Sequence, residues 1–175
     1  MDWQTIVFEV IDMRSFSNLW YWIALAVTWS SASHWVLGVP YDMVGRARKY
    51  GGQAAEDLND MVRVNINRML YIAGISGLIL VAVVCFTLTA LVLLGFLYRV
   101  EFAQAVFLLV FPLSIVFALS VRAARRIAAT GLTDEALCVA LTRHRVWVQV
   151  IGMVSIFVTA LWGMFQNLAH GIMVN

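Results

Sequence analysis

Four stretches of the chain, residues 18–38, 69–98, 102–121 and 146–166, contain no Asp, Glu, Lys or Arg. None alternates apolar with polar positions as a barrel strand does, and in lipid only a helix or a closed barrel satisfies its own backbone amides. A hydrocarbon core of about 30 Å is crossed by about 20 helical residues rising about 1.5 Å each. The first, third and fourth stretches have that length; the second is longer, so it tilts or emerges at its ends. The pattern predicts an all-α polytopic membrane protein, a four-helix transmembrane bundle forming a single domain over residues 1–175.

The polar connections also carry helical periodicity. Leu58, Met61, Val62, Ile66 and Met69 share one face, with Asp57, Asp60, Arg63 and Asn67 on others. The second helix therefore begins near Ala54 as a water-exposed extension, after a bend at Gly51-Gly52. The third continues through residues 123–129, with Gly131 suited to its C-terminal cap. Thr133 is placed to cap a further helix, with Asp134 and Glu135 in its favourable first turn. The connections 39–68 and 122–145 thus read as helical extensions beyond the membrane. Arg99-Val100-Glu101 is short enough to make the second and third spans antiparallel neighbours. Pro112 should kink the third span and free a carbonyl. In residues 1–14, Trp3, Ile6, Val7, Val10 and Ile11 against Asp2, Gln4, Thr5, Glu9 and Asp12 predict an interfacial helix anchored by Trp3.

Charge sets the orientation. Ten of the 12 Lys and Arg residues fall in two connections: Arg46, Arg48, Lys49, Arg63 and Arg68 in the first, Arg122, Arg125, Arg126, Arg143 and Arg145 in the second. Only Arg14 and Arg99 lie on the other side. The positive-inside rule places both connections in the cytoplasm and both termini outside, in the periplasm if the membrane is a bacterial inner membrane. Acids at Asp2, Glu9 and Asp12 and the lack of a basic n-region argue against a cleaved leader.

Composition narrows the function. The chain is 62% hydrophobic and 13% charged, with mean hydropathy +0.85, where soluble domains average about 45–50% and about 25%. That excludes a soluble enzyme, a disordered tail and a nucleic-acid module. A net charge of +2 marks no polyanionic partner. Cys85 and Cys138, one in an apolar run and one in a basic connection, suggest neither a disulfide nor a metal site. HExxH, GxSxG and P-loop patterns are absent, and no charge sits inside a span as pumps and ion-coupled carriers require. No catalytic residue is assigned.

What remains is anchoring, packing and two histidines. Trp20, Tyr21, Trp22, Trp35, Tyr41, Trp147 and Trp162 mark the span ends as interface anchors; a pigment- or quinone-stacking surface is the other reading. Ala24, Thr28 and Ala32 in the first span, Ser155, Thr159 and Gly163 in the fourth, and Gly74 and Gly77 in the second allow close helix approach, within this chain or to another subunit. His34, inside the first span, and His144, just before the fourth, sit at similar depth on different helices, a geometry able to bind haem or frame a quinone, or else to make local hydrogen bonds. His144 between Arg143 and Arg145 also reads as a surface residue. Arg46, Arg48, Lys49, Arg122, Arg125 and Arg126 enforce topology and attract anionic lipid headgroups.

The segments Asp12-Met13-Arg14-Ser15-Phe16-Ser17-Asn18-Leu19-Trp20-Tyr21-Trp22 and Ser33-His34-Trp35-Val36-Leu37-Gly38-Val39-Pro40-Tyr41-Asp42 resemble an uncharacterised family of alphaproteobacterial inner-membrane proteins. Tyr71-Ile72-Ala73-Gly74 and Gly152-Met153-Val154-Ser155-Ile156-Phe157-Val158 fit it too. Some members carry a label tying them to the Suf iron–sulfur machinery, although two cysteines do not hold a cluster alone. The resemblance implies a bacterial inner-membrane address. The expected function is a non-catalytic accessory or assembly subunit of a larger membrane complex, respiratory or photosynthetic, whose partners are membrane lipids and a protein subunit or a second copy. The alternatives are a small oligomeric channel or lipid-handling protein, with Thr28, Ser30, Ser31 and Ser33 lining a path, and a haem or quinone protein.

Overall fold

The helices outrun the apolar stretches inside them. A computed structural model describes the backbone of residues 15–173 and the side chains of 16–168, so the interfacial helix expected over 1–14 lies outside the described residues. After a 3-10 turn at Ser15–Ser17 come α1 (Leu19–His34), a hairpin of β1 (Trp35–Val36) and β2 (Val39–Pro40), then α2 (Tyr41–Tyr50) and α3 (Gly52–Val92). A wide π-type turn over Leu93–Leu97 ends α3, and α4 (Glu101–Thr130) and α5 (Asp134–Met173) follow. Among the described residues three helices are long and apolar enough to cross a membrane: α3 with its terminal turn over 46 residues, α4 over 30 and α5 over 35.

The first apolar stretch is not one helix. α1 stops at His34 after 16 residues, about 24 Å at about 1.5 Å each. Residues 35–40 instead form an antiparallel pair, Trp35 opposite Pro40 and Val36 opposite Val39. Leu37 and Gly38 turn the chain with φ of 52° and 78°, the left-handed pair that a two-residue hairpin needs. Leu37 is strained there but 3% exposed, so burial of its side chain offsets the backbone cost. Asn65 Nδ2 donates to Gly38 O at 3.1 Å and holds the turn.

Between residues 39 and 68 the sequence periodicity missed α2. Its Val44 and Ala47 are buried while Arg46, Arg48 and Lys49 face out. The bend between α2 and α3 is made by Gly51 and Gly52, with φ of 59° and 47°. Gly131, in the left-handed region, closes α4 and donates to Ile127 O at 3.0 Å. The start of α5 differs from expectation, because a neighbouring helix does the work assigned to Thr133. Asn59 of α3 accepts from Asp134 N (3.2 Å) and donates to Asp134 Oδ1 (3.0 Å).

Two kinds of core result. At one end α2, the hairpin, the start of α3, the end of α4 and the start of α5 converge on Val36, Val39, Val44, Leu58, Leu137 and Leu141, a cluster of large buried apolar side chains. We call this end the head. Water drives such packing; lipid does not. Toward the Arg99 turn, α5 buries smaller groups. Its inward stripe runs Leu137, Leu141, His144, Val148, Gly152, Ser155, Thr159, Gly163, from large to small. Gly152 lies under the Trp29 ring of α1, and Gly163 lies against Phe16 and Trp22. α1 therefore packs through Leu25 and Trp29, while Ala24 is exposed and Thr28 and Ala32 only flank the contact. Gly74 and Gly77, expected at a contact, have open space where a Cβ would stand.

Two irregularities inside the apolar region are repaired by side chains. Pro112 has no N–H for Leu108 O; Ser155 of α5 donates to that oxygen at 3.4 Å. The π-type turn brings Gly95 against Gln104, whose Nε2 donates to Gly95 O at 2.7 Å. Gln104 Oε1 then accepts from Trp162 Nε1 (3.0 Å) and Gln166 Nε2. Glu101 Oε1 accepts from Phe16 N at 2.9 Å, and Tyr21 donates to Ala105 O at 3.1 Å. These bonds tie α1, α4 and α5 together at the Arg99 end.

A Cβ at Gly152 would stand 2.8 Å from Trp29 Cε3. Gly152→Val should therefore cost about 1–3 kcal/mol through overpacking, read as a lowered Tm in detergent. Gly74→Ala should be neutral or stabilising, because Ala is the better helix former. Equal Tm values for the two variants would contradict the α1–α5 contact.

Candidate functional site

Unpaired positive charge collects where the head meets the spans. Arg122, Arg125 and Arg126 occupy positions i, i+3 and i+4 of α4, which share a helix face. The turn at residues 131–133 is short, so the start of α5 folds back beside them and adds Arg143, His144 and Arg145. Among the described residues the one salt bridge joins Arg63 to Asp60 at 2.9 Å. No carboxylate among the described residues forms a salt bridge with the α4 arginines.

These groups border two cavities on opposite sides of Arg122. The smaller, about 160 Å³, lies between α4 and α5 and is lined by Arg122, Arg126, Arg143, His144 and Trp147 with apolar neighbours. The larger, about 1150 Å³, is a groove between α3 and α4. It is apolar along its length and ends at Arg122 and Arg125.

His144 is buried, at 7% exposure, not on the surface as its arginine neighbours suggested. Its Nε2 lies 3.1 Å from Ser120 Oγ. The Ser120 hydroxyl donates to Val116 O at 2.8 Å, so Nε2 carries the hydrogen and donates to Ser120. Burial pushes the imidazole pKa below its usual value. Arg145 turns the other way: its Nε donates to Ser33 O at 3.1 Å and its guanidinium stacks 3.8 Å above the Tyr41 ring. That arrangement clamps α1 and α2 to α5.

The remaining sequence candidates scatter. His34 is exposed and meets Trp35 edge-on, with ring centroids 5.8 Å apart; it does not line the cavity beside His144. Arg46, Arg48 and Lys49 sit on the outer face of α2. Ser155 and Thr159 are buried, and Thr159 donates to Ser155 O at 2.7 Å. Cys138 is buried in the head, where burial raises its thiol pKa and keeps it unreactive. Cys85 faces the α3–α4 groove. Sequence reasoning missed Gln104, Gly152 and Asn59. Gln104 alone carried a signal, as an amide within an apolar stretch.

No family model matches the chain, and no curated protein or solved structure matches it significantly.

The buried His144 makes stability pH-dependent. The unfolded chain protonates this residue as pH falls through about 6.5, before the folded chain does. Stability is therefore full above that pH and declines below it, toward the lower folded pKa. A charge on His144 would also join Arg122, Arg126 and Arg143 around the same cavity. Between pH 7.5 and 5 the wild-type Tm should fall more than that of His144→Gln, which keeps a donor for Ser120. Parallel Tm curves would contradict the burial.

Proposed function

We propose that the chain is a four-span integral protein of a bacterial inner membrane and serves as a non-catalytic accessory or assembly subunit of a larger membrane complex. α1 supplies the fourth span. It follows α5 from Asn167, bonded to Ser17, to Arg145, bonded to Ser33. Those two bonds mark off about 33 Å of α5 at about 1.5 Å per residue, the thickness of a hydrocarbon core, while the 16 residues of α1 itself supply about 24 Å. The starts of α1 and α4 meet through Phe16 and Glu101, so both chain ends belong on the Arg99 side. The ten Lys and Arg residues of the head and its junction then face the cytoplasm.

The observation that carries the subunit reading is the state of α3. No residue of its most apolar 18-residue stretch is buried, and Phe86 and Ile75 are 76% and 66% exposed. In the apolar region α3 packs chiefly on α4 and presents Gly74 outward with nothing near it. Small residues are where spans approach each other closely, so α3 is suited to receive the helix of another protein. The titratable groups support a non-catalytic role: His144 is held by Ser120, Cys138 is in the head core, and His34 stands apart. A second reading, a lipid-handling protein, draws on the α3–α4 groove.

Purification from native membranes in mild detergent tests the proposal. The expected result is a particle larger than the 19.6 kDa chain with a different protein in constant ratio. A monomer with no co-migrating protein would overturn the subunit reading, and a homo-oligomer would shift weight to the second.

A further inference from the structure

The α3–α4 groove has the shape and polarity of one phospholipid. On α3 it extends from Ala73 to Cys85, and on α4 from Ser114 to Arg125. At about 1.5 Å per residue these walls are about 18 and 17 Å long. One leaflet of a hydrocarbon core of about 30 Å is about 15 Å deep. The groove therefore covers a single leaflet and the start of its headgroup layer, and not the full membrane. Its volume, about 1150 Å³, exceeds the about 300–1,000 Å³ of ordinary small-ligand sites.

Polarity runs in one direction along it. Nearly all the lining is aliphatic or aromatic, and the Ser114 hydroxyl is occupied by Phe111 O at 2.6 Å. Charge enters only at the head end, with Arg122 and Arg125. Both are exposed and free of carboxylate partners among the described residues. A guanidinium presents a planar fork of donors that matches a phosphate and cannot be deprotonated there. The wall is kept open by Ala73, Gly77 and Ala118, and a Cβ at Gly77 would meet nothing within 4 Å.

We propose that this groove binds one anionic phospholipid, its acyl chains along α3 and α4 and its phosphate between Arg122 and Arg125. Charge complementarity selects this occupant: a hydrophobic partner helix leaves two guanidinium groups unpaired at the groove mouth, and a soluble phosphate leaves the apolar walls bare. The inference rests on the membrane reading of α3 and α4 with the arginines at headgroup level.

Native mass spectrometry of the full chain, released from phosphatidylcholine nanodiscs doped with phosphatidylglycerol, tests it. The expected result is one phosphatidylglycerol retained per chain in preference to phosphatidylcholine. Arg122→Gln with Arg125→Gln should weaken that preference by about thirtyfold, since each charge at a headgroup surface adds to it. Gly77→Leu starts from a Cβ in open space and projects into the groove, so it should reduce retention of both lipids while leaving Tm unchanged or raised. Inorganic phosphate at the same concentration should not compete. Unchanged preference in the double variant, undiminished retention in Gly77→Leu, displacement by phosphate, or a second protein occupying the groove would each overturn the proposal. A chain that stays soluble without detergent would instead refute the membrane reading beneath it.

Discussion

Within a lipid core a backbone amide or carbonyl without a partner costs several kcal/mol, because no water is present to replace the lost bond. That constraint accounts for where this chain is regular and where it is not. Its apolar segments are almost unbroken helix. The two places where the ladder fails inside them, Pro112 and the turn over Leu93–Leu97, are each met by a polar side chain from a neighbouring helix, Ser155 and Gln104. The freer backbone, with its tight hairpin and paired glycines, lies at the head, where water or side chains accept what is left over.

The same solvent difference divides the packing. In the head, water makes burial of large apolar groups favourable, and Leu58, Leu137, Leu141 and Val44 fill a dense core. In the apolar region, exchange of lipid for protein contact gains little by transfer, so closeness decides. There α5 offers Gly152 and Gly163; Trp29 of α1 lies on the first, and Trp22 of α1 with Phe16 of the preceding turn on the second. α3 has no such arrangement with its neighbours and stays open to its surroundings. His144, Ser120 and the arginines mark the boundary between the two regimes, which is why charge without counter-charge gathers there.

Most of the helices were legible because apolar length and charge exclusion are one-dimensional signals. The bend at Gly51-Gly52 and the left-handed Gly131 were legible because glycine tolerates those angles. What was hidden required knowing neighbours. α1 ends at His34 because Leu37 is buried by the head, which makes a strained turn tolerable, and composition alone continued the helix to residue 38. Thr133 had the chemistry of a cap, but Asn59, 75 positions away, occupies the site. The stripe Ala24, Thr28, Ala32 had suitable spacing, yet the large Leu25 and Trp29 make the contact because α5 supplies the small partner. His144 read as a surface residue because its sequence neighbours are arginines, whereas helical geometry turns it inward between them. The groove beside Arg122 needed the separation of two helices, which no local pattern encodes.

Both basic connections belong on one side of a membrane and the Arg99 turn on the other. Single cysteines at Val100→Cys and Thr130→Cys, in a background carrying Cys85→Ser and Cys138→Ser, can be exposed to a membrane-impermeant maleimide in intact spheroplasts. The account predicts labelling at position 100 before permeabilisation and at position 130 only after it. Labelling of position 130 in intact spheroplasts, or of both positions only after permeabilisation, would contradict it.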